Sequence, residues 1–136
     1  MTALQSPLAL LGRVLLAFLF VPAGFGKIAG FSGTVGYATA MGLPLPTIGV
    51  AAALVIELVG GLMLLVGFGT RIAALALALF TVVAAIFFHA YWALPADQAM
   101  MQQLMFNKNI GIAGGLLAFA AFGAGSWSVD GRNKAA

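Results

Sequence analysis

Apolar residues fall along this chain in four long runs separated by short polar or glycine-rich breaks. The runs cover about residues 8–28, 47–68, 71–91 and 105–126. A hydrocarbon layer of ~30 Å is crossed by ~20 helical residues, so each run is long enough to span it. Within lipid a spanning segment must satisfy its own backbone, which selects helix here. The pattern predicts an all-α transmembrane four-helix bundle, one domain over residues 1–136, with no stretch left for a soluble domain. The first run is interrupted only by Arg13 and Lys27 and is longer than the ~7–15 apolar residues of a cleavable leader, so it reads as a retained span.

The breaks have local causes. Gly30-Phe31-Ser32-Gly33 ends the first run, and Pro44 and Pro46 resist helix before the second. Residues 31–46 are therefore expected as a connection, with Tyr37 and Met41 at the membrane interface. Gly67-Phe68-Gly69-Thr70 predicts a tight turn, in which Gly69 takes a left-handed exit and Thr70 caps the next helix. Residues 92–104 hold Pro95, Asp97 and a Gln/Met-rich run, compatible with either a short interfacial helix or a loop.

Composition sharpens this picture. Hydrophobic residues make up 63% of the chain and charged ones 7%, against ~25% charged in soluble domains. The six Lys/Arg and three Asp/Glu are too scattered for a nucleic-acid footprint. They read instead as topology signal. Arg13, Arg71, Arg132 and Lys134 fall on one side of the bundle, Lys27 and Lys108 on the other. In a bacterial inner membrane that asymmetry places both termini in the cytoplasm, with Tyr91 and Trp92 at the outer interface and Trp127 at the inner one.

Glu57 carries the strongest single signal, because an acid in the middle of the second span is costly unless it has a partner. It marks either a proton, ligand or ion site, or an interhelical bond that fixes packing. Side chains lean toward the N-terminus of their own helix. Lys27 and His89, near the outer ends of helices one and three, therefore lean into the membrane, while Glu57 on the inward-running second helix leans up toward them. This predicts a Glu57, Lys27, His89 cluster bridged by water, roofed by Lys108 and Asn109. The alternatives are that Lys27 snorkels to the interface and that His89 is only a polar interfacial residue. Arg13 leans the other way and is expected to snorkel to the cytoplasm.

Gly60-Gly61 and Gly114-Gly115, preceded by Gly111, predict close contact between helices two and four, or a groove that admits a flat ligand. With no cysteine and a single His, disulfide, thiol and transition-metal chemistry are not expected. No nucleophile–base–acid set or phosphate loop is present, and no catalytic residue can be assigned.

Several of these positions form an ordered set: Phe20-x3-Gly24-x2-Lys27, Glu57-x2-Gly60-Gly61, Gly67-x2-Thr70-Arg71, His89, Lys108-Asn109, Gly114-Gly115 and Gly123-x-Gly125-x2-Ser128-x-Asp130. Over essentially the whole chain this set resembles the DoxX family of small four-helix membrane proteins. The resemblance implies a bacterial cytoplasmic membrane location. It also implies kinship with subunits linked to thiosulfate oxidation with quinone and with proteins of oxidative-stress complexes. Two functions follow as expectations. One is an accessory subunit of a redox-linked system, holding quinone or another small ligand, or a proton, at Glu57, Lys27, His89, Lys108 and Asn109. The other is a non-catalytic scaffold for partner proteins. Beyond the lipid bilayer, the expected partners are a redox protein or further copies of the chain, and a self-sufficient enzyme is not expected.

Overall fold

The computed structural model describes residues 2–132. Its elements are α1 (Thr2–Ala29), α2 (Phe31–Ala40), α3 (Pro46–Val66), α4 (Thr70–Phe88), a 3-10 turn at Tyr91–Ala93, α5 (Ala96–Phe122) and α6 (Val129–Arg132). α1, α3, α4 and α5 are each long and apolar enough to cross a membrane. The fold is therefore all-α, with four spans. Lys134, used above in the charge asymmetry, lies outside the described residues.

α1 packs on α3, α3 on α4, and α4 along much of its length on α5. Lipid tails are as apolar as leucine, so these contacts are held by close packing more than by escape from water. Alanines at 74, 78 and 113 let α4 and α5 approach, and Leu64, Leu77 and Leu116 fill the space between helices with Phe20 from α1. This dry core occupies the half of the bundle nearest the 67–69 turn, here the turn end. The opposite half, here the far end, is hollow.

The structure revises several boundaries. Residues 31–40 are helical where a connection was expected. Thr34 and Thr39 donate their hydroxyls back to the carbonyls of Gly30 and Val35, at 3.0 and 2.8 Å, so the helix satisfies its own polar side chains. Pro46 does not oppose helix at its position, because the first turn needs no amide hydrogen there. Residues 96–104 form neither a separate interfacial helix nor a loop. They are the opening turns of α5, since Ala, Gln, Met and Leu are good helix formers and nothing breaks the run before Phe122.

The expected contact of helices two and four is also replaced. Gly60 faces Leu77 of α4, and a Cβ there would lie 3.2 Å from Leu77 Cγ. Gly61 faces Phe20 and Val21 of α1, where a Cβ would come within 2.9 Å of Val21 Cγ2. Gly111, Gly114 and Gly115 of α5 are exposed, with open space where a Cβ would project. Glycine enrichment showed correctly that α3 is approached closely, but not by which neighbours.

Candidate functional site

Phe20, Gly24 and Lys27 are spaced four and three residues apart and so lie on one face of α1. Phe20 enters the core. A Cβ at Gly24 would stand 2.9 Å from the backbone nitrogen of Leu58, so only glycine lets α3 come this close. One turn on, Lys27 Nζ meets Glu57 Oε2 at 2.5 Å. The pair is direct, where a water bridge had been expected. Glu57 is buried within a π turn, Ile56–Gly60, in the middle of α3. Such a turn widens the helix by one residue and is frequent at functional sites.

The pair forms part of the wall of a cavity of about 710 Å³. Its other walls are mainly apolar and aromatic, with Phe80, Phe87 and Phe88 from α4. Thr34 and Tyr37 of α2 and Asn109 of α5 add polar groups. Tyr37 stacks on Phe88 with centroids 5.6 Å apart and planes at 17°, so α2 roofs the far end. A mostly apolar chamber of this size with a few convergent polar groups has the usual character of a small-molecule site.

The sequence-derived candidates thus separate. Lys27, Glu57 and Asn109 share one cavity. His89 is turned away: its Nδ1 pairs with Gln102 Oε1 at 2.7 Å, a partner supplied by the opening turns of α5. Lys108 is exposed, its Nζ 3.5 Å from Met105 Sδ. The sequence reading missed Thr34 and the aromatic wall. Residues 80, 87 and 88 recur at helical spacing and gave the only available signal, one that any packed face would also give. Among the described residues no three His, Asp or Glu side chains gather as metal ligands.

The turn end is closed by a second polar constellation. Arg13 does not snorkel; it is 1% exposed. It donates to the carbonyls of Leu64 and Leu65 at 3.3 and 2.9 Å and of Trp127 at 2.5 Å. Both carbonyls of the first pair lie in the last turn of α3, where the helix runs out of donors of its own; that of Leu64 also accepts the Gly67 amide hydrogen at 3.3 Å. Thr70 does not cap α4 as expected. Instead Asp130 accepts the amide hydrogens of Gly69 and Thr70, at 2.8 and 2.9 Å, and donates its own to Gly67. Gly67 and Gly69 hold the left-handed conformations that this turn requires.

These two constellations give the ordered sequence motifs a structural meaning, and the DoxX family profile matches residues 8–90. The chain belongs to the DoxX family. It is 41% identical over 133 residues to inner membrane protein YqjF of Escherichia coli (strain K12), covering 96% of this chain and 95% of that one. It is 34% identical over 130 residues to inner membrane protein YphA of the same organism, covering 96% and 93%. No solved structure matches this DoxX chain. With four apolar spans and relatives of this kind, it is an integral inner-membrane protein.

Proposed function

We propose that this protein is an accessory membrane subunit of a redox-linked system, in which the Lys27–Glu57 pair holds the polar head of a small ligand, a quinone. The observation that carries this reading is an ion pair set in the wall of an otherwise apolar, aromatic chamber. A quinone fits the residues present. Its flat ring suits the phenylalanine walls, its carbonyl can accept from Lys27 or Asn109, and its reduced form can donate to Glu57. When bound, it supplies the two-electron chemistry that protein side chains lack. The chain's own part is to orient the ring, exclude water and hold a proton at the Glu57 carboxylate.

Quinone extracted from protein in lipid nanodiscs should exceed that of empty discs of equal lipid, and Lys27→Met and Glu57→Gln should lower it. An excess unchanged by both substitutions, or no excess, overturns the assignment. The isolated chain should oxidise neither thiosulfate nor thiols with quinone as acceptor, and should gain activity only with a partner carrying reactive sulfur or a metal.

The scaffold reading draws support from one observation. The 111–115 glycine face of α5 is left uncovered, and small residues on a span let another helix approach closely. The charge asymmetry further supports cytoplasmic termini. A reporter fused after Ala136 should then read as cytoplasmic and one inserted at Gly42 as external; the reverse pattern would invert the topology.

A further inference from the structure

The walls of the cavity are not equally closed. α4 packs on α3 through the π turn and the segment that follows it, whereas the far segment of α3, Pro46–Val55, packs on α1 and α2. The contact of Gly60 with Leu77 is the vertex from which the two helices diverge toward the far end. The residues on either side of this gap have a double character. Ala52 of α3 and Ala76, Leu79 and Val83 of α4 line the cavity and are also exposed, Leu79 by 66% and Val83 by 43%. Toward the far end, by contrast, the chamber is roofed by α2, with Tyr37 laid on Phe88 and Leu43 folded against Gly49.

By helix rise, Ala52 lies ~9 Å below the start of α3, and Leu79 and Val83 lie ~14 and ~20 Å above the start of α4. These positions fall inside a hydrocarbon layer of ~30 Å. The gap between α3 and α4 therefore faces acyl chains and not headgroups or water.

We propose that the cavity opens sideways into the hydrocarbon between the far segment of α3 and α4. The ligand of the Lys27–Glu57 pair is then a lipid-dissolved amphiphile that arrives through the bilayer with its tail trailing in this gap. This rests on the ligand-site reading above and narrows it: water-soluble metabolites are excluded, and the ligand needs a compact head that both donates and accepts hydrogen bonds. Ala52 and Ala76 are specificity positions, because their small side chains keep the gap open.

The absence of native cysteine allows a test that does not depend on the ligand's identity. Ala84 lines the cavity, so Ala84→Cys places a lone thiol inside it. In protein reconstituted in vesicles, this thiol should react with lipid-soluble N-phenylmaleimide. A sulfonated maleimide should react more than about 50-fold more slowly, because its charge is excluded from hydrocarbon. Gln98→Cys, at an exposed position in the first turn of α5, verifies that the charged reagent is active. Adding Ala52→Trp to Ala84→Cys should slow the lipid-soluble reaction several-fold, while Ala51→Trp, an exposed neighbour that does not line the cavity, should leave it unchanged. Comparing rates at the same thiol removes its intrinsic reactivity from the result. Comparable labelling by the sulfonated reagent would show a route to water, and equal rates with tryptophan at 51 and 52 would place the opening elsewhere; either overturns the proposal. Binding of a tail-less benzoquinone tests the head-group reading separately, so the two can fail independently.

Discussion

Arg13 and Lys27 are two cations on the same face of one helix, yet they serve opposite ends of the bundle. Arg13 is enclosed by backbone carbonyls at the turn end, where Leu64, Leu77 and Leu116 are fully buried. Lys27 meets a carboxylate at the far end, where the helices stand around a chamber. A buried charge answered by carbonyls of three residues, drawn from α3 and the C-terminal segment, ties the chain together. One answered by a single side chain beside open volume keeps room for a ligand. The contrast teaches that burial alone does not mark a functional charge; what lies next to its partner does.

Removing the tie should have the largest effect. Arg13→Ala removes the guanidinium donor from the carbonyls of Leu65 and Trp127, and one of two donors from that of Leu64, and should cost ~3 kcal/mol, read from unfolding of the detergent-solubilised protein. Arg13→Lys should recover only part, since an ammonium lacks the planar fork that reaches two chain segments at once. Next comes the far pair. Glu57→Leu strands Lys27 and should cost ~3 kcal/mol, with Glu57→Gln milder because it keeps hydrogen-bonding capacity. A double-mutant cycle over Lys27 and Glu57 should give a coupling of ~1 kcal/mol or more. Additive effects there would mean that the pair is not in contact, and the contrast between the two ends would collapse.

Smaller effects sharpen the boundary between the halves. Gly61→Ala drives a methyl group into Val21 and Phe20 and should cost ~1–3 kcal/mol. Asp130→Ala removes the acceptor for two amide hydrogens at the start of α4 and should cost ~1 kcal/mol while leaving quinone content unchanged. Gly114→Ala enters open space and should stay within ~0.5 kcal/mol in stability. A large loss at Gly114 would reveal a neighbour that covers α5 in the membrane.

The four spans were legible because hydropathy reports the solvent a segment needs, and lipid demands long runs. The pairing of Lys27 with Glu57 was legible because side-chain lean and depth follow from helix direction alone. Arg13 was misread by the same rule: lean cannot reveal that carbonyls 64, 65 and 127 converge around the guanidinium, which is a fact of tertiary packing. The pairing of His89 with Gln102 was not legible, because the two become neighbours only when α5 begins at Ala96, and polar residues give no hydropathy signal of helix. α2 was missed for a similar reason, since its glycines and threonines favour helix only once it lies against the bundle. The size and walls of the cavity were not legible in the sequence, because empty volume arises from how helices diverge.

The π turn in α3 has a consequence for how this sequence can vary. It amounts to one residue inserted into an otherwise regular helix. Beyond it, the phase of α3 is offset by about 100° from that of an uninterrupted helix. Gly60 and Gly61 meet their neighbours only in that offset phase, while Ala52, Ala53 and Ile56 line the chamber in the original one. A chain shortened by one residue at Val59 could restore the regular helix only by rotating one half of α3 out of register with its surroundings. Length at this point is therefore fixed more tightly than residue identity, and homologues that tolerate many substitutions along α3 should tolerate no single-residue gap between positions 56 and 60.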